Sequence, residues 1–342
     1  MVQRIIGGKG TPARKASPLA AAPTPTAPPA VRHVHVGEDG AGQRLDNYLV
    51  KTLKGVPKTH VYRIIRSGEV RVNRGRAGAD TRLALGDELR LPPVRVAQRA
   101  DTAPAPPREF PIVYEDEHLL VLDKPAGVAV HGGSGVSFGV IEQLRRARPE
   151  AKLLELVHRL DKETSGLLLI AKKRSALTAL QDQFRSRATG KTYAALVIGA
   201  WPASKKVIDV ALHKFLTDQG ERRVRTVAPD DEDGRRSITL VRLVRQYEGY
   251  ALLDVTIKTG RTHQIRVHLA SEGHAIVGDD KYGDFALNRE LARGQAGLRL
   301  ERMFLHARRL AFDHPASAER LELEAPLPAE CVRLLACLSS PH

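Results

Sequence analysis

The stretch LVHRLDKETSGLLLIAK, from Leu156 to Lys172, sets a run of charged and polar side chains between two apolar segments. The flanks, LLELV and GLLLIA, are too short for helices of ordinary length and read as buried strands. A tight connection between strands is usually built from Gly, Asn, Asp and Pro. This one carries His158, Arg159, Asp161, Lys162, Glu163 and Thr164 before closing at Ser165 and Gly166, a composition that suits a reactive loop better than a turn. Asp161 stands at the edge of a core strand, and its basic neighbours His158, Arg159 and Lys162 favour the charged carboxylate. In that form it can serve as nucleophile or base. An aspartate capping a turn, its oxygens on backbone N–H groups, accounts for this stretch equally well.

A second basic stretch, TGRTHQIRVHLASEGHAIVGD, runs from Thr259 to Asp279. It predicts a helix with Thr262 as N-cap, Ile265 and Leu269 as apolar stripe and Gly273 as stop. Arg266 lies one turn beyond Thr262 and off that stripe, where it can reach a cleft; a solvated surface arginine is the plain alternative. Other chemistries lack their patterns. His263 and His268 are five apart and His306 and His314 eight apart, so neither pair fits HExxH, and no metal site is expected. The histidines are expected to be structural or RNA-facing. HGGSGVSFG lacks the GK[ST] ending of a phosphate loop and the dinucleotide spacing, so no cofactor is expected either. Ser165 has no GxSxG context. What remains is a carboxylate working without cofactor help.

The elements that must position these residues fall into segments. Residues 1–36 are rich in Ala and Pro, carry basic charge, and predict a disordered arm, too Pro-rich for an amphipathic targeting helix. Residues 43–97 predict a compact module. Leu45, Leu49 and Leu53 mark one helix face, KTHVYRIIR a second helix with Thr59 as cap and Gly68 as stop, and VRVN and DELRLP two strands. Lys58, His60, Arg63, Arg66, Arg71, Arg74 and Arg76 crowd into it against the single acid Glu69, which favours a phosphate-contacting face over scattered solvated charge. Residues 98–109 read as a linker. From 110 to 335 the chain predicts many neighbouring strands and few helices. SALTALQDQFRSR is a helix behind a Ser175 cap, and ITLVRLVRQYEGYALLDVTIK a hairpin turning at Glu248-Gly249. The fold class is therefore α+β with a mixed, largely antiparallel sheet rather than a doubly wound one.

Among 342 residues, 54 Lys and Arg stand against 39 Asp and Glu, a formal net charge of +15. General solubility explains part of this; a polyanion partner, nucleic acid foremost, explains it better. No apolar run of 18 residues or more is present and the first residues lack a secretory apolar core, so a cytoplasmic protein with no membrane partner is expected. The two cysteines, Cys331 and Cys337, are read as reduced core residues.

HRLDKETSGLLLIAK resembles the signature of the pseudouridine synthases of the RluA/RluC/RluD group. VLDKPAGVAVHGG, KTYAALVIG, TGRTHQIRVHLASEGHAIVGDDKYG and RMFLHARRLAF follow the same family in the same order, from about 110 to 315. The module at 43–97 resembles an S4 RNA-binding domain. HGGSGVSFGVIEQLR is most similar to the large-subunit type C branch. The resemblance implies a small S4-like α/β module followed by a synthase domain that converts uridine in RNA to pseudouridine without redox or energy input. It implies Asp161 as the essential carboxylate, acting on the ribose or as base at C2′, and Arg266 as its basic partner. Tyr193 would pack on the target base, and Arg159 would fill the space left by the flipped nucleotide. His158, Lys58, Arg63, Arg66, Arg71 and Arg74 are expected to contact RNA. The implied partner is 23S ribosomal RNA of the large subunit, acted on by a monomer. Transfer RNA or another RNA is the alternative substrate, and a non-catalytic RNA-binding assembly factor the alternative function, disfavoured because a pure binder has no use for a carboxylate facing phosphates. The acidic run PDDEDG at 229–234 receives no role.

Overall fold

The computed structural model describes residues 30–53, 55–94, 104–133, 136–217, 221–294 and 297–339. They belong to two units, one ending at Arg99 and the other beginning at Ala100. The first has three strands, β1 (Arg32–His35), β2 (Arg71–Val72) and β3 (Glu88–Leu91), in the antiparallel order β1-β3-β2, with helices α1 (Leu45–Thr52) and α2 (Lys58–Arg66). Leu45, Leu49 and Leu53 are buried against Val61, Ile64, Leu89 and Leu91, as their four-residue spacing predicts. Strand β1 corrects the arm. Residues 32–35 pair with β3, and Val34 and Val36, two apart, turn into the core. The rest of the arm, residues 1–29, lies outside the described residues. Pro57, not Thr59, occupies the N-cap of α2.

The second unit is built on a ten-stranded sheet. Its strands are β4 (Ile112–Glu115), β5 (Leu119–Lys124), β6 (Glu155–Leu156), β7 (Ser165–Ala171), β8 (Gly190–Ile198), β9 (Val207–Asp209), β12 (Ile238–Tyr247), β13 (Tyr250–Ile257), β14 (Leu305–Asp313) and β15 (Arg320–Glu324). The spatial order is β4-β5-β7-β14-β8-β13-β12-β9, with β6 on β7 and β15 on β14; a separate hairpin pairs β10 (Ala211–Leu216) with β11 (Arg222–Val227). Every pairing in the large sheet is antiparallel except β7 with β14. Period-2 alternation sorts the strands onto two cores. One face, with Leu168, Tyr193 and Val255, meets helices α3 (Val140–Ala147) and α5 (Gln264–Ser271). The other, with Leu167, Leu169, Leu196 and Leu252, meets α4 (Arg174–Ser186), α6 (Phe285–Arg293) and α7 (Ala329–Ser339).

Several boundaries shift. Ser175 lies inside α4, whose N-cap is Lys173, and α7 carries the unit past 335 to Ser339. Of the 98–109 linker, residues up to 103 lie outside the described residues. Its end is bound to the second unit: Arg148 donates to Glu109 at 2.8 and 2.9 Å. Cys331 is buried but Cys337 is exposed and both are free, because a six-residue step on a helix turns them apart. No helix among the described residues is long and apolar enough to cross a membrane.

Candidate active site

The reactive loop follows from how β7 shares one of its edges. Its first residues, Ser165 and Gly166, pair in parallel with His306 and Ala307 of β14, while its last two pair with β6. The chain between β6 and β7, residues 157–164, leaves the sheet at that seam. Leu160 and Thr164 are buried and anchor it, and the Thr164 N–H closes a turn on the Asp161 carbonyl at 3.2 Å. Gly166 is obligatory here: its φ is +106°, and a Cβ would lie 2.3 Å from the Ala307 carbonyl oxygen.

Two buried networks hold the loop from behind. The Lys124 ammonium, fully buried, donates to the carbonyls of Pro125 and Val128 at 2.8 Å and of Lys162 at 3.1 Å. Burial pushes this amine down to about 7, the nearby Arg302 adds to the effect, and Glu163 and Asp161 oppose it. Ser165 Oγ accepts from Arg302 at 2.7 Å and meets His306 Nδ1 at 2.8 Å. Its proton goes to that nitrogen, which leaves His306 Nε2–H for the Ala325 carbonyl at 3.3 Å. Burial lowers this imidazole to about 4, consistent with a neutral ring.

Asp161, Arg159, Tyr193 and Arg266 line one cavity of about 100 Å³, which Thr262, His263, Ile257 and Leu305 complete. Arg159 and the 161–163 loop also border a wider groove that runs past Lys281 to Arg222. Helix α5 begins at His263 rather than Thr262: His263 sits at the N-cap with φ +52°, a left-handed conformation rare outside Gly, Asn and Asp. Arg266 is almost wholly buried. Its Nε and Nη2 form a two-pronged pair with Asp279 at 2.7 and 2.6 Å, Nη2 also reaches Asp280 at 2.9 Å, and Nη1 points to Asp161 at 4.0 Å. The expected Asp161–Arg266 pair is thus looser than the one Arg266 makes with Asp279, since two of the guanidinium's edges are already committed. Burial works against the Arg266 charge, but the Asp279 hydrogen bonds and carboxylates outweigh it and hold the guanidinium above its ordinary value. Asp279 is likewise held low against burial by Arg266. Gly278, with φ +78° and 2.1 Å between its would-be Cβ and the Arg302 carbonyl, makes the turn that presents Asp279.

The family described as RNA pseudouridylate synthase matches residues 118–271, and the S4 domain matches residues 43–89. Ribosomal large subunit pseudouridine synthase C of Salmonella typhi is 48% identical over 92% of this chain and 99% of its own, and that of Escherichia coli K12 is 49% identical over 91% and 97%. The chain belongs to the RNA pseudouridine synthase family. Among solved structures, human RNA pseudouridylate synthase domain containing 4 superposes with a TM-score of 0.55 at 27% identity, over 67% of this chain and 92% of that one.

In this pseudouridine synthase, then, four of the anticipated site residues converge on one cavity, Asp161 with its side chain about a quarter exposed and Tyr193 mostly enclosed. Burial, and next the Asp161 charge, raise the Tyr193 phenol above its ordinary value, so it is neutral at pH 7. His158 departs from expectation. Its ring stacks on Phe184 of α4 at 4.9 Å, and its Nε2 accepts the Leu169 N–H at 3.1 Å, which places it in the packing behind the loop rather than in the cleft. Burial and Lys191 push it down to about 4. In the S4 unit Lys58, Arg63, Arg66 and Arg74 are exposed and Arg71 half-buried. The sequence reading passed over Lys124, His263, Asp279 and Tyr282, although DDKYG and THQIR lay inside quoted blocks; only the fold brings them around Arg266.

Proposed function

We propose that this synthase isomerises uridine to pseudouridine in large-subunit ribosomal RNA, the substrate that the names of its relatives state for them. The supporting observation is Asp161, accessible in a small cavity with a buried guanidinium 4.0 Å away and a neutral tyrosine on its wall. The C1′–N1 bond breaks, the uracil turns, and a C1′–C5 bond replaces it as the C5 proton leaves. Atoms and electrons balance within the nucleotide, so the reaction draws on no cofactor. Asp161 acts at the ribose, as nucleophile at C1′ or base at C2′; both routes need the same oxygen facing the sugar. Tyr193 offers the extruded uracil an uncharged ring to pack on. A base within RNA structure must first be swung out, at a cost of a few kcal/mol of stacking. Arg159, exposed at the cavity rim, is suited to stack in the vacated space. The exposed Lys58, Arg63, Arg66 and Arg74 of the S4 unit, with Arg71, contact phosphates, and the enzyme works as a cytoplasmic monomer.

Tritium release from ribosomal RNA labelled with [5-³H]uridine tests this. Asp161→Asn is expected to lose release by about 10³-fold or more, as expected of a group that acts directly on the substrate, while RNA binding stays within about threefold. Substantial release by that variant overturns the assignment of Asp161, and faster release from transfer RNA overturns the assignment of substrate. Replacing Arg63, Arg66 and Arg74 by Gln should weaken RNA binding and flatten its salt dependence by about one log unit per lost phosphate contact.

A further inference from the structure

His263 is placed with more care than helix capping requires. Its backbone is held left-handed, its side chain is mostly enclosed, and its Nε2 lies 4.0 Å from Asp161 Oδ2. The ring's other nitrogen, Nδ1, is 2.9 Å from the Tyr282 hydroxyl. That hydroxyl already accepts the Val224 N–H from β11 at 3.1 Å, so its own proton turns to Nδ1. The imidazole is therefore left with its proton on Nε2, directed at Asp161. Tyr282 is itself fixed by its backbone N–H on Asp279 and by the Arg266 guanidinium over its ring at 5.2 Å. Burial foremost, with Arg266 and Lys281, lowers the His263 pKa, while Asp161 and Asp279 act the other way. A neutral ring donates a hydrogen bond without neutralising the carboxylate it faces.

We propose that His263 is a positioning residue for Asp161: oriented by Tyr282, its Nε2–H closes onto the carboxylate as the ribose enters. Arg266 Nη1 approaches the same oxygen, also at 4.0 Å. The two donors together hold that oxygen and leave the other free to meet the sugar. Gaps of this size in a substrate-free site tighten when the reacting complex forms. The inference rests on Asp161 as the reacting group, so the variants are measured beside Asp161→Asn.

His263→Asn is the removal to use, because Asn tolerates a left-handed backbone. It is expected to lose about 10- to 100-fold in kcat for tritium release, the scale of one hydrogen bond to a charged acceptor, with KM within about threefold. His263→Gln, whose amide nitrogen can stand near the Nε2 position, should recover activity to within about fivefold of the native enzyme, as a donor role requires. In protein carrying ¹⁵N-histidine, the His263 Nδ1 resonance should be that of an unprotonated nitrogen, and Tyr282→Phe should abolish that preference and lower kcat severalfold. A ring protonated at Nδ1, or equal losses in the Asn and Gln variants, overturns the proposal. So does native kcat in His263→Asn while Asp161→Asn is dead. An active Asp161→Asn overturns the reading beneath it instead.

Discussion

Two carboxylates on the second unit, Asp279 and Asp254, are both buried and both attended by arginine, yet they are built differently. Asp279 lies on the cleft side, with both oxygens engaged by a guanidinium that is itself almost fully buried and with backbone donors from Lys281 and Tyr282. Asp254 sits on β13 beside Val255 in sequence but points to the opposite face of the sheet. Arg242, Arg308 and Arg309 surround it, its Oδ1 has no hydrogen-bond partner, and Arg242 is about two-thirds exposed. The cleft cluster is thus rigid and dry, while the back-face cluster leans on solvated arginines. A charge that must aim at a substrate is given partners that cannot wander; one that only balances a surface is not.

The contrast can be broken most forcefully at Arg266. Arg266→Met should abolish tritium release and cost about 3–5 kcal/mol in urea unfolding, because Asp279 is left buried and uncompensated. Adding Asp279→Leu should recover much of that stability and none of the activity, which separates the fold from the chemistry. Lys124→Met is the next step down. It removes the donor to Lys162 and should lower kcat by about tenfold and stability by about 1–3 kcal/mol. Here the sign of the pH dependence is diagnostic. The Lys124 pKa is about 7 in the fold against an ordinary 10.5, so between those values the unfolded chain binds the extra proton and stability rises with pH. Subtracting the Lys124→Met curve from the native one should show this rise between pH 7 and 9, and a flat difference would contradict it. The smallest effect belongs to the back face. Arg242→Gln, at so exposed a position, should change stability by less than about 1 kcal/mol and leave kcat unchanged.

Much of this arrangement was legible in the residues. The insert between two apolar runs marked the Asp161 loop, alternation marked the β12–β13 hairpin, and Ile265 with Leu269 marked α5. What escaped was set by distances along the chain that no spacing encodes. Arg266 finds its tightest partner 13 residues on, across a helix end and the Gly278 turn. His263 was weighed for metal spacing, while its neighbour Tyr282 lies 19 residues away. His158 and Asp161 look alike as polar loop residues, but the loop's path turns one onto α4 and the other into the cavity. Strand β1 escaped for a different reason: four residues with two useful valines give no periodic signal beside an Ala- and Pro-rich stretch.

The parallel seam joins Ser165 to His306, residues 141 apart in sequence. A chain emerging from the ribosome therefore carries its reactive loop long before it carries the strand that shapes it. The site can be completed only when nearly the whole polypeptide has been synthesised, so a growing chain cannot act on the ribosomal RNA surrounding it, and shortened products ending before β14 would bind RNA without changing it.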